Sequence, residues 1–267
     1  MKSLLEKLFT GSAPEAVNEI LTTYQQENFS VINFIYFSNI VAQRLFEDKD
    51  KTEKEREYKK ILLKSDFLLS DGIALQVFYF FAKLLGRISS SCTWLANLNG
   101  TDFVPYFLSE SKKKYGNQKL CLLLYGTKPE YLKKAEEKLK FQGYNVIYTQ
   151  DGYSDFDWEA AEESLNEYQD TINILLVARS TPKIPLQELW TSRNYQKIQK
   201  HQLLVFNTWG LLDFIAWAQK RAPRLRRSLK IEWLYRLLSD PKRNIRKVLN
   251  SLSIIPYTFK YLILGKK

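Results

Sequence analysis

Histidine and methionine each occur once in the 267 residues, and cysteine twice. Cys92, Cys121 and His201 are too few for a Cys/His metal site or a disulfide framework, and such sparing use of cysteine fits a reducing compartment. With 10 glycines and 8 prolines the chain shows neither a collagen-like nor a low-complexity composition. Long apolar runs are also missing. The segment Ile73–Leu85 contains Gln76 and Lys83, and Val248–Leu264 contains Asn250, Pro256 and Lys260. Neither reaches the about 20 predominantly apolar residues of a membrane span. Met1–Phe9 carries Lys2, Glu6 and Lys7 and no apolar core, so no signal peptide is expected. There is no GxGxxG, no P-loop lysine motif and no internal repeat.

Aromatic residues are plentiful, with 16 Tyr, 16 Phe and 6 Trp, and 45% of the chain is hydrophobic. That is enough to bury a sizeable core. The net charge of +11 is unevenly placed: from Lys220 onward stand 14 basic residues against Glu232 and Asp240, while the preceding part carries 26 basic and 27 acidic residues. A near-neutral body followed by a strongly basic tail points to an anionic partner: nucleic acid, a phosphorylated ligand or an acidic membrane face.

The order of elements predicts an α/β chain. Val31–Phe37, Asp66–Ser70, Lys119–Leu124, Val146–Thr149, Ile172–Ala178 and Leu203–Asn207 read as strands. Between and around them, Ser3–Gln26 (irregular at Gly11–Pro14), Ile40–Leu63, Ile73–Leu85, Pro129–Phe141, Trp158–Glu167, Leu186–Tyr195 and Leu211–Gln219 read as helices. Such alternation predicts a Rossmann-like parallel sheet flanked by helices. After Arg221 the strands stop and basic helical sequence follows, which places the core at residues 1–219 and a basic helical appendage at 220–267. Turn residues (Ser38-Asn39, Asp71-Gly72, Gly126-Thr127, Asp151-Gly152, Ser180-Thr181, Asn207) fall at or just after strand ends. In open α/β sheets those ends converge on one crevice, where helix N-termini can meet phosphate.

Each candidate has two readings on the residues alone. Asp71 is either a general base at the crevice or the cap of an Asp-Gly turn. Gly126-Thr127 either lets a phosphate approach the backbone or is a plain strand-to-helix turn. Asp48–Asp50 and Asp155–Asp157 spell Asp-x-Asp, which can hold a metal on a diphosphate; the first sits on a lysine-rich solvated stretch, and the second in a loop. His201 has no partners for a triad. Arg236, Arg243 and Arg246 share one face of a helix if it continues through Pro241. They make either a diphosphate clamp or a basic face on anionic lipid. Beyond them, Ile254, Ile255, Tyr257, Phe259 and Tyr261–Leu264, with Lys260, Lys266 and Lys267, form an aromatic, cationic end suited to a membrane surface.

The run Lys220-Arg221-Ala222-Pro223, Glu232 to Leu237, Asp240 to Arg243 and Arg246 resembles the C-terminal signature of the WecG/TagA/CpsF glycosyltransferases. In the same order, Asp71-Gly72, Asn99-Gly100-Thr101-Asp102, Tyr125-Gly126, Asp151-Gly152-Tyr153 and Gln187 to Trp190 resemble its other blocks. The resemblance implies a bacterial inverting enzyme, peripheral on the cytoplasmic membrane face. It would move a hexose or N-acetylhexosamine from a UDP-sugar to a polyprenyl-pyrophosphate-linked sugar in surface polysaccharide or teichoic acid assembly. It implies no metal and no further cofactor. It assigns Asp71 as general base, with Gln187 and Asn39 in the active site. It also assigns Arg236, Arg243 and Arg246 to the leaving diphosphate, and Asp213, with Gly126, Thr127, Asp151, Gly152 and Tyr153, to the nucleotide. Departures from the pattern are Asn97 where the family has arginine, Phe37 where threonine is common, and a residue other than glycine before Gly126. Lys183–Leu186 adds three residues before Gln187. An exposed apolar tail would also favour self-association away from a membrane. The rival class is a non-catalytic basic protein bound to membrane or nucleic acid. The bulky Trp233, Leu234, Leu237 and Leu238 among the tail's cations speak against nucleic acid.

Overall fold

The computed structural model describes residues 1–47, 51–168, 170–179, 185–217, 249 and 252–265. Six strands form one sheet: β1 (Ser30–Tyr36), β2 (Phe67–Asp71), β3 (Leu120–Gly126), β4 (Asn145–Gln150), β5 (Ile172–Ala178) and β6 (Leu203–Asn207). Their order is β2-β1-β6-β5-β3-β4, and every neighbouring pair is parallel. All seven residues of β3 and all five of β6 are buried, as their unbroken apolar runs require of strands covered on both sides.

Strand alternation sorts the side chains onto two faces. Ile32, Phe34, Leu122, Leu124, Ile174, Leu176, Leu204 and Phe206 pack under four helices. These are α2 (Ala13–Glu27), α6 (Gly100–Tyr115), α7 (Pro129–Phe141) and α11 (Leu211–Ile215). Opposite them, Val31, Leu123, Tyr125, Leu175, Val177, Leu203 and Val205 meet α8 (Trp158–Asn166), α9 (Leu186–Arg193) and α10 (Tyr195–Lys200). Ile35 and Leu68 lead into a third cluster with α1 (Lys2–Glu6), α3 (Phe37–Ala42), α4 (Glu53–Lys64) and α5 (Ile73–Leu84).

Local chemistry explains where the helices begin. Ser12 with Glu15 and Thr52 with Glu55 form reciprocal capping boxes on α2 and α4. The second box corrects the single helix expected over Ile40–Leu63: α3 stops at Ala42, Arg44 turns to φ 48°, and Thr52 starts a new helix. The helix expected over Leu186–Tyr195 is likewise two, α9 and α10, meeting at Asn194. Sequence patterning does not assign α6; Asn99 caps it by accepting the Asp102 N–H at 3.0 Å. Asp48–Asp50 lie outside the described residues.

The chain end also differs from a free interfacial tail. α12 (Ile254–Tyr257) runs into a π-helical turn, Thr258–Ile263, whose Tyr261 and Leu262 are buried in the third cluster. Arg87 holds it there, with Nε donating to the Leu262 carbonyl at 2.7 Å and Nη2 to that of Ile263 at 3.2 Å. Ile255, Phe259, Ile263 and Leu264 remain exposed. The proposed boundary at residue 220 lies outside the described residues.

Gly126 ends β3 at φ 136°, and a Cβ there would stand 2.4 Å from the Ala178 carbonyl oxygen. Gly126→Ala should therefore destabilise the fold by about 2 kcal/mol or more. Ser12→Ala, which removes a cap, should cost about 1 kcal/mol. Urea midpoints of the two variants check both; an unshifted midpoint for Gly126→Ala would contradict the close approach.

Candidate active site

The carboxyl ends of the strands bring together side chains that are far apart in sequence. Tyr36 and Asp71 end β1 and β2 as register partners. Asp71 is followed by Gly72 at φ 87°, and the Gly72 N–H donates to Asn97 Oδ1 at 2.9 Å. The Leu98 N–H donates to the Ser70 carbonyl at 2.9 Å, so the chain before α6 is laid across the end of β2. Asn97, which stands where the family carries arginine, thus holds the turn that presents Asp71. Tyr36 feels two carboxyls: burial first, then the charges of Asp71 and Glu188, push its hydroxyl well above the usual tyrosine range, so it stays protonated.

Behind this pair lies a buried polar seam. Gln187 and Glu188, at the start of α9, are wholly buried. Gln187 Oε1 accepts the Trp209 N–H at 2.9 Å, and its Nε2 donates to Glu188 Oε1 at 3.1 Å. Burial raises the Glu188 carboxyl to about 7, against its own backbone N–H and the hydrogen bond from Gln187, which both lower it. Asn39, on α3, is buried and donates from Nδ2 to the Tyr58 hydroxyl at 2.7 Å. Deeper in the sheet, Asn207 Nδ2 donates to Asn33 Oδ1 at 2.7 Å, and Thr191 Oγ1 donates to Asn207 Oδ1 at 2.9 Å. Trp209 takes the left-handed conformation at φ 52°, uncommon for so bulky a residue, and its ring meets that of Tyr36 edge-on at 5.6 Å.

The nucleotide candidates gather at the ends of β3, β4 and β5. The Thr127 N–H donates to the Ala178 carbonyl at 3.2 Å, and the Gly152 N–H to the Thr127 carbonyl at 2.9 Å. A Cβ on Gly152 would lie 3.0 Å from the Thr127 nitrogen, so both glycines serve close backbone approach. Thr127 Oγ1 donates to Asp213 Oδ1 on α11. The turn after β6 therefore joins the two halves: Trp209 meets Gln187 and Tyr36, and Asp213 meets Thr127. The Asp151 carboxylate accepts from the Tyr153 and Ser154 N–H groups at 2.8 and 3.1 Å, which holds its pKa below the usual range. Tyr153 itself is exposed.

Other candidates fall elsewhere. Asp157 caps α8, accepting from the N–H groups of Glu159 and Ala160, which accounts for one half of that Asp-x-Asp. Among the described residues no group of three or more His, Cys, Asp or Glu side chains is placed to hold a metal. His201 stacks on Trp158 at 5.4 Å, away from the strand ends, and burial lowers its pKa. Phe37, where the family commonly has threonine, is buried against Phe78 and Tyr257. Arg236, Arg243 and Arg246 lie outside the described residues, as do Lys183 and Ile184. Tyr36, Tyr58, Glu188, Trp209 and Arg179 have no role on sequence grounds. Arg179 follows β5, with Nε donating to the Gly152 carbonyl at 3.1 Å and its guanidinium 4.9 Å above the Tyr125 ring. The adjacent polar pair Gln187-Glu188, with Asn39 and Asn207 at strand ends, is the sequence signal pointing to the seam.

The sequence model of the Glycosyl transferase WecG/TagA/CpsF family matches residues 6–267, nearly the whole chain, and the chain belongs to that family. It is a glycosyltransferase of cell-surface polysaccharide biosynthesis.

Asn97→Ala removes the acceptor for the Gly72 N–H and frees the turn that carries Asp71. Glycosyl transfer should fall about 10- to 100-fold, the scale of a displacement of about 1 Å within a site. The bond is exposed, so stability should fall by only about 1 kcal/mol. Assays and melting curves on the same preparation check this; unchanged transfer would show that Asn97 does not position Asp71.

Proposed function

We propose that the chain is an inverting, UDP-sugar-dependent enzyme acting on a polyprenyl-pyrophosphate-linked sugar at the inner face of the cell membrane. The observation that carries this reading is the placement of Asp71 at a strand end, on a braced glycine turn, across the sheet from the nucleotide candidates Thr127 and Asp213. UDP-sugar would lie across the strand ends. As the acceptor oxygen attacks the anomeric carbon, its proton passes to the Asp71 carboxylate. The bond between that carbon and the diphosphate oxygen breaks, and UDP leaves with the bonding pair. Arg236, Arg243 and Arg246 would meet its charge by the family resemblance, with no metal assigned to the step. Gln187 and Asn39, both buried and hydrogen-bonded, would shape the floor of the site.

A second observation supports the membrane. No helix among the described residues is long and apolar enough to cross one. Yet Phe81, Leu84, Leu85 and Trp94 are exposed near α5, and so are Ile255, Phe259, Ile263 and Leu264 at the chain end that Arg87 ties to the core. Apolar groups with Lys83 and Lys260 among them suit an anionic bilayer surface.

Two outcomes are expected. UDP release from one donor should require a polyprenyl-pyrophosphate-sugar acceptor and fall about 10²–10⁴-fold in Asp71→Asn, the usual worth of a general base. Turnover within about threefold of wild type would remove that role. The chain should float with anionic vesicles but not with neutral ones. Concentration-dependent self-association in place of flotation would instead assign the apolar surface to a second copy.

A further inference from the structure

Among the described residues Glu188 carries the one buried carboxyl, and the transfer mechanism leaves it unused. Its Oε1 is occupied by the Gln187 amide at 3.1 Å, and among the described residues its Oε2 has no hydrogen-bond partner. The other end of the same amide accepts the Trp209 N–H at 2.9 Å. Gln187 is therefore held from both sides, and its orientation matters: turned over, its NH₂ would face the Trp209 N–H, donor against donor.

We propose that Glu188 is a positioning residue whose ionised carboxylate locks the Gln187 amide, and through it the Trp209 turn, in the orientation seen here. A carboxylate only accepts, so it fixes the NH₂ of Gln187 toward itself and the carbonyl toward Trp209. A protonated carboxyl can also donate, so it tolerates the flipped amide. Burial places this change near neutral pH, at about 7. The described titratable groups coupled to it are Tyr58 from α4 and Tyr36 from the end of β1. Burial keeps both hydroxyls protonated across this range, so neither competes for the charge.

Two opposite pH dependences follow from one group. The folded pKa lies above the ordinary value of 4.5, so the fold binds the extra proton and its stability falls as pH rises from about 4.5 to about 7. The locked amide, by contrast, gains with pH over the upper part of that window. A purely structural carboxyl would give the first trend alone.

The test follows the Gln187 side-chain amide by ¹⁵N NMR in the full chain between about pH 5.5 and 8.5, its resonance assigned by loss in Gln187→Leu. The wild-type resonance should titrate with a midpoint near 7, and in Glu188→Gln it should not. A wild-type resonance that does not move over this range overturns the proposal without any variant having to fold. The proposal rests on the transfer reading above only for its second readout. Wild-type turnover should rise from pH 6 to pH 8 by more than threefold, up to the about tenfold that one ionisation near 7 allows. That rise should shrink to within about threefold in Glu188→Gln, with UDP affinity unchanged. A full rise retained in Glu188→Gln overturns the positioning role. Absence of turnover in a wild type whose amide still titrates would count against the transfer reading alone.

Discussion

A parallel sheet with no face turned to water leaves little room for polar chemistry along its strands. In β3 and β6 every residue is buried, and in β5 the last five are. Their polar groups must find partners inside the core, as the Asn207 amide does in Asn33 of β1 and Thr191 of α9, or be carried to the strand ends. The carboxyl ends are where the chain turns, where backbone N–H groups become available, where Tyr36 pairs with Asp71 and touches Trp209, and where Thr127 meets Gly152. The site follows from this burial more than from any single motif.

The turn after β6 carries the most consequence for its length. β6 sits between β1 and β5, so residues just past its end can touch both halves of the crevice. Trp209 reaches Gln187 through its N–H and Tyr36 through its ring, and Asp213 reaches Thr127. The left-handed backbone at Trp209 is the kind of strain that persists only where its surroundings fix it. Here they do so through the paired amide and carboxyl of Gln187 and Glu188.

Much of the fold is legible in the sequence because burial writes itself into composition. Ile172–Ala178 and Leu203–Asn207 have in the structure the boundaries that patterning predicts, since apolar β-branched and leucine-rich runs bounded by polar turns admit few alternatives. α6 is not legible, because its apolar positions are diluted by Lys112–Lys114 and its start depends on Asn99 as cap. The break at Ala42 is hidden because a charged stretch looks continuous until the Thr52–Glu55 box is weighed. In the site, Asp71 and Gly126 are visible as turn residues. Asn97 is visible only as a departure from the family, and its contact with Gly72 joins positions 25 apart in sequence. Tyr36, Tyr58 and Glu188 cannot be found by spacing, because their roles arise from burial and from neighbours on other elements. The chain end is half legible: its apolar character is plain, but only the structure separates the buried Tyr261 and Leu262 from the exposed Phe259 and Ile263.

The central claim is that one crevice, at the carboxyl ends of β1, β2, β3 and β6, takes the nucleotide-linked sugar. A crystal structure of the full chain soaked with UDP tests it most directly. The account predicts UDP at these strand ends, its nucleoside against Thr127 and Asp213 and its diphosphate directed toward Asp71. UDP bound beside the start of β2, in the hollow lined by Lys7, Phe9, Glu15 and Asp66, would contradict it.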